Sequence, residues 1–262
     1  MSFDWSASLA ALLWMAALGG IVWLISLPLK NASIVDSFWS LFFVVGAWAY
    51  HSGLQQSGPR ELLIAVLLIV WAMRLAGYIT WRNRGHGEDR RYQAIRARNQ
   101  PHYEIKSLVY VFALQAVLAW IVALPLFGAL SGVRPLNWLD AAGVTFWLTG
   151  FLFESLGDWQ LARFKADPGN SGRVMQSGLW RYTRHPNYFG EALLWWGFWL
   201  IAVASGNAWS IVSPLLMTLL LIKISGVALL ESDIKTRRPA YADYIRRTNA
   251  FLPGPPRKGE AL

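Results

Sequence analysis

An all-α integral membrane protein with seven transmembrane helices is what this sequence predicts, and three observations predict it. Hydrophobic residues make up 55% of the 262 and charged residues only 15%, against roughly 25% charged in water-soluble domains. Apolar runs near the 20 residues needed to cross about 30 Å of hydrocarbon recur along the whole chain. The basic residues collect between alternate runs. The same composition excludes a disordered chain, a coiled coil and a collagen. The lack of any Cys excludes disulfides, thiolate nucleophiles and Cys-held metals.

The runs, in order, are 5–29, 33–50, 62–78, 107–130, 139–153, 192–206 and 211–230. The first is too long for a signal peptide, follows Asp4 and has no basic segment before it. Seven crossings put segments 30–32, 81–106, 158–186 and 231–262 on one side, and these carry one, seven, five and seven of the 24 Lys and Arg. Only Arg60 and Arg134 fall on the other side, while Arg74 and Lys223 lie inside spans. Positive charge marks the cytoplasmic side, so the N-terminus is expected outside and the C-terminus in the cytoplasm. The expectation is one transmembrane domain, 1–262, in a bacterial inner membrane. The tail after Phe251 holds Pro253, Pro255 and Pro256 and is not expected to extend a helix.

Common catalytic signatures are missing: no G-x-G-x-x-G, no phosphate loop, no H-E-x-x-H and no G-x-S-x-G. The four His are too scattered to predict a metal site. One stretch is chemically dense. Residues 177–191 read S-G-L-W-R-Y-T-R-H-P-N-Y-F-G-E and lead into the sixth span. Arg181, Arg184 and His185 are suited to clamping phosphate or carboxylate. The rings of Trp180, Tyr182 and Tyr188 are suited to stacking on a base. Pro186 fits the first turn of a helix, whose N-terminus attracts anions. Glu191 follows Asn187 by four residues, which puts both on one helix face. An interfacial belt would explain the Trp and Arg. It does not explain Asn187 and Glu191 at the head of a span, where polar groups are costly.

This stretch resembles the cofactor signature of the steroid 5α-reductases and their bacterial relatives, G-L-[FW]-x-Y followed by x-x-N-[YF]-F-G-E. The likeness continues upstream at Gly157-Asp158, Phe164-Lys165 and Pro168-Gly169. It continues downstream at Glu231, Arg237-Arg238-Pro239, Tyr241, Tyr244, Arg247-Thr248 and Phe251-Leu252-Pro253. It covers roughly residues 140–255 well, and Asn83-Arg84-Gly85 adds a short match after the third span. The resemblance implies an NADPH site facing the cytoplasm and built from Asp158, Lys165, the signature residues, Glu231, Arg238, Tyr241 and Tyr244. It also implies reduction of a carbon–carbon double bond conjugated to a ketone, in an apolar, steroid-like substrate that enters from lipid. Part of the stretch, R-H-P-N-Y-F-G, is also similar to isoprenylcysteine carboxyl methyltransferases, which bind S-adenosylmethionine there. Asn187, Glu191 and the G-L-W-R-Y lead favour the reductases. A transporter or scaffold would call for internal repeats or broken helices, and the sequence shows neither.

Enone reduction also needs a donor at the ketone oxygen, and intramembrane ionisable groups are the natural candidates. Asp36, Arg74, Glu191 and Lys223 all fall in the cytoplasmic half. The resemblance implies a carboxyl–phenol pair from the second and third spans, which here points to Asp36 with Tyr78. The competing reading pairs Asp36 with Arg74 as a buried salt bridge. Trp39, Phe42 and Phe43 either line a flat pocket or pack against neighbouring helices.

Overall fold

The computed structural model describes residues 3–55, 58–224 and 240–257. All secondary structure among them is helical. Five helices are long and apolar enough to cross a membrane: Trp5–Leu29, Ala32–Gly53, Glu61–Asn83, Tyr103–Val122 and Pro186–Ser205. They mark the chain as an integral membrane protein. Two of the seven expected spans are not among them. The fifth belongs to a helix that is long enough but too polar, and the seventh ends at 225–230, outside the described residues. The chain divides into two compact units, Met1–Asn137 with Ala202–Ser210, and Trp138–Ile201 with Ile211–Leu262.

In the first unit α1 (Trp5–Leu29) starts at Asp4, whose carboxylate accepts from the Ala7 N–H at 3.0 Å. It ends at Lys30, which turns the chain with φ 47°. A short turn, Ala32–Ile34, leads into α2 (Val35–Gly53), which packs along α1. Gly46 allows the close approach, because a Cβ there would stand 2.8 Å from the Met15 sulfur. Phe42 and Phe43 are fully buried, with Phe43 edge-on to Trp39 and to Trp71 of α3 (Glu61–Asn83). These aromatics are packing residues. The polar segment after α3 forms α4 (Arg90–Arg98), capped by Asp89.

The fourth expected span is not one helix. α5 (Tyr103–Val122) contains a π-helical turn at Leu108–Ala113 and stops before Pro125, from which a separate helix, α6 (Leu124–Ser131), starts. Proline has no N–H to donate and its ring clashes with the carbonyl four residues back. Hydropathy alone does not register that break. α6 is buried throughout, and the Gly128 carbonyl accepts from both Ser205 Oγ and Asn207 Nδ2 at 2.9 Å. Arg60 is fully buried and donates to the carbonyls of Arg134 at 2.6 Å and Pro135 at 3.1 Å.

In the second unit α7 (Trp138–Ala166) runs well past the expected end at residue 153. Glu154 and Asp158 read as the end of a span, yet both are buried inside the helix. Its partner α8 (Pro186–Ser205) begins at Pro186 as expected. The two meet at a seam of glycines. A Cβ on Gly150 would lie 2.5 Å from the Gly190 carbonyl oxygen, and one on Gly143 would lie 2.8 Å from that of Gly197. Gly157 continues the line, packed against Pro186 and the Asn187 N–H. The sevenfold spacing of 143, 150 and 157 keeps them on one helix face. The apolar helix α9 (Ala208–Ile224) follows and contributes Thr218, which accepts from Trp196 Nε1 at 3.3 Å. The last described helix is α10 (Ala240–Arg247).

Candidate functional site

The dense stretch of the second unit starts with Gly178, at φ 60°, a left-handed conformation that favours glycine. A Cβ there would also meet the Gln160 carboxamide at 2.6 Å. Gln160 Oε1 instead accepts from the Leu179 N–H at 3.0 Å, and Trp180 donates its indole N–H to the Gly157 carbonyl at 3.0 Å. The G-L-W triplet is thereby fastened to α7. The next residues are fastened to the C-terminal segment. Tyr244 donates its hydroxyl proton to the Trp180 carbonyl, Thr183 donates to the Phe251 carbonyl at 2.8 Å, and Gly254 N–H donates to the Tyr182 carbonyl at 3.0 Å. Arg184 is 6% exposed and donates to the Thr248 carbonyl at 2.5 Å and the Ile245 carbonyl at 3.3 Å. These bonds tie Arg184 to the C-terminal segment.

One polar residue of the stretch reaches across the seam to α7. Asn187 Nδ2 donates to Asp158 Oδ1 at 3.1 Å. Asn187 Oδ1 is buried and has no hydrogen-bond donor among the described residues. Asp158 is 4% exposed and Glu191 lies half-buried in the second turn of α8. His185 is buried and stacks on Tyr188 with ring centroids 5.5 Å apart and planes within 4°. Tyr241 meets Tyr244 edge-on. Lys165, Arg181 and Tyr182 are exposed. Beside Tyr182 lies an open apolar groove of about 330 Å³, lined by Phe153, Leu179, Tyr182 and the Pro253–Gly254–Pro255 turn. Glu231 and Arg238 lie outside the described residues.

The first unit holds a second polar cluster. Asp36 accepts from Arg91 Nη2 at 2.8 Å and from the Tyr92 hydroxyl at 2.5 Å. It pairs with neither Tyr78 nor Arg74. A carboxyl–phenol pair does form, but its phenol is Tyr92 on α4. Tyr78 instead has the guanidiniums of Arg74 and Arg82 over its ring, at 5.5 and 5.7 Å. Gln115 of α5 donates to the Tyr92 oxygen at 3.0 Å. Burial, then the Asp36 carboxylate, holds the Tyr92 phenol well above its ordinary pKa, so it keeps its proton. Burial works against the charge on Arg91, and the carboxylates of Asp36 and Asp89 outweigh it. Burial also opposes the Asp89 charge, yet bonds from Arg91 hold that carboxyl below its usual range.

Neighbouring bonds dock α4 onto the start of α2. Asp89 N–H donates to Ser33 Oγ at 3.1 Å, and Glu88 Oε1 accepts from the Ala32 N–H at 2.8 Å. Arg96 grips Glu88 through Nε at 2.9 Å and Nη2 at 3.0 Å. Tyr92 and Gln115 are absent from the sequence-based site. The one available sign was the Gln itself, a carboxamide inside an otherwise apolar run. Exposed Lys223 sits in the π-helical end of α9. Among the described residues no group of His, Asp and Glu is placed to hold a metal ion.

Residues 22–248 match the family described as protein of unknown function (DUF1295). A similar protein is an uncharacterized protein of Schizosaccharomyces pombe, 27% identical over 255 aligned positions that cover 86% of this chain and 73% of the yeast protein. No solved structure matches the chain.

Proposed function

We propose that this chain, which belongs to the DUF1295 family, is an NADPH-dependent membrane reductase. Its substrate would be a steroid-like lipid in which a carbon–carbon double bond is conjugated to a ketone. The observation that carries the reading is the buried, unpartnered Asn187 carbonyl beside Asp158, at the head of α8. A buried acceptor left unmet costs about 1–3 kcal/mol. The carboxamide N–H of a nicotinamide is the kind of donor that would meet it. The apolar groove beside Tyr182 suits a planar base, and exposed Arg181 and Lys165 supply positive charge for phosphates.

Bound NADPH would supply a hydride to the β-carbon of the enone, with a proton completing the saturated ketone. In this reading Asn187, Asp158 and Glu191 orient the cofactor amide, while Trp180, Thr183 and Arg184 keep the loop that carries them in place. In the first unit Asp36, with its phenol partner Tyr92, is the candidate acid pair.

The finer topology belongs to the same proposal: seven spans, N-terminus outside, C-terminus inside, in a bacterial inner membrane. The one-sided distribution of Lys and Arg supports it. A reporter fused after Asn99 should read as cytoplasmic, and an external signal overturns that topology.

Thermal unfolding of the purified protein tests the activity. NADPH at a hundred times its dissociation constant should add about 2.7 kcal/mol. Asn187→Ala or Glu191→Ala should remove that gain. Stabilisation by S-adenosylmethionine and not by NADPH would replace the reading with a membrane methyltransferase.

A further inference from the structure

The short helix α4 has two faces, and only one of them is held by the rest of the protein. Its sequence is R-R-Y-Q-A-I-R-A-R. Arg91, Tyr92, Ile95 and Arg96 turn inward, where bonds to Asp36, Ser33 and Ala32 pin the segment against the start of α2. Arg90, Gln93, Ala94, Ala97 and Arg98 are exposed. Their spacing of three and four residues makes them one helix face.

Charge is balanced on the inner face and left over on the outer one. Arg91 is paired with Asp36 and Asp89, and Arg96 with Glu88 and Glu104. Those four carboxylates are thereby engaged. Arg90 and Arg98, and exposed Arg84 just before α4, have no carboxylate partner among the described residues.

The position of α4 says what answers these charges. It lies between α3 and α5, two spans of which one ends at Asn83 and the other begins at Tyr103. Short links therefore hold it at the boundary of the bilayer. Exposed Trp81 on α3 and Tyr110 on α5 are of the ring types that settle at that boundary. Between its arginines the outer face carries only Gln93, Ala94 and Ala97. It has no large side chain to anchor a protein partner and none to bury among acyl chains. What it offers is positive charge beside a layer of headgroups.

We propose that the outer face of α4, together with Arg84, binds the headgroups of anionic phospholipids. The proposal stands on the first unit alone and does not rest on the reductase reading.

The probes are phosphatidylglycerol and phosphatidylcholine with the same acyl chains. Binding is read as thermal stabilisation of the detergent-solubilised full chain. Each arginine beside an anionic surface is worth about fivefold in affinity. The wild type should therefore bind phosphatidylglycerol at least about tenfold more tightly, and salt at about 0.5 M should erase the difference. Arg84→Gln/Arg90→Gln/Arg98→Gln should lose the preference, and Arg84→Lys/Arg90→Lys/Arg98→Lys, which keeps the charge, should retain it. Equal binding of the two lipids by the wild type, or an unchanged preference in the Gln variant, overturns the proposal. So does an equal loss in Arg163→Gln/Arg181→Gln/Arg257→Gln, which removes the same charge from the second unit and would mean that net charge selects the lipid. Stabilisation by inorganic phosphate to the level reached with phosphatidylglycerol would overturn it in favour of a soluble-anion site.

Discussion

The Asp36 cluster of the first unit is joined side chain to side chain, whereas the side chains that fasten residues 178–184 of the second unit donate to backbone carbonyls. Asp36, Arg91, Tyr92 and Gln115 form a chain of side-chain contacts drawn from three helices. Trp180, Thr183, Arg184 and Tyr244 all donate to main-chain carbonyls. The difference separates two kinds of chemically rich sequence. A contiguous motif can be rich because it ties a loop down. A side-chain cluster can be assembled from residues that lie far apart in the sequence.

Substitutions that act on one region and spare the other sharpen this contrast. The largest effect belongs to the glycine seam. Gly150→Leu would push a side chain into backbone already 2.5 Å from an ideal Cβ. We expect the second unit to lose more than about 3 kcal/mol, the upper end of overpacking costs, with NADPH-dependent stabilisation gone. A melting point within a few degrees of the parent would show that the helices separate freely. Next is Asp36→Asn, which removes the carboxylate that faces Arg91 and Tyr92. Turnover should fall at least about tenfold, while stabilisation by NADPH stays at the parent level. Loss of that stabilisation would make Asp36 part of the cofactor site. The smallest effect is Gly46→Ala in the first unit. Its obstacle is a flexible Met15 side chain, so the cost should stay below about 1 kcal/mol. A larger cost would mean that the first unit is packed as rigidly as the second.

These regions also differ in how legible they are. Apolar runs announce spans because lipid tolerates little else, and five of the expected helices are there. Charge marked span ends less well. Glu154 and Asp158 look like an exit from the membrane only while α8 is out of sight. The break at Pro125 needed backbone hydrogen bonding, not hydropathy. The signature of residues 177–191 was visible as a motif, but the parts played by Gly178 and Arg184 were not. A left-handed φ and carbonyl partners over 60 residues away leave no local trace. Asp36 was legible as an acid inside an apolar run. Its partner was not, because 56 residues separate it from Tyr92 and only the docking of α4 joins them.

The polarity of α7 bears on how the protein is made. α8, its partner, only just reaches the apolarity of a span, with a mean hydropathy of 1.2, and α7 does not reach it at all. A helix that buries Asp140, Glu154 and Asp158 is a poor client for the translocon when presented alone. Asp158 meets Asn187 only after α8 has been synthesised, and the glycine seam lets the two backbones close together. The two helices are therefore expected to insert together as a helical hairpin.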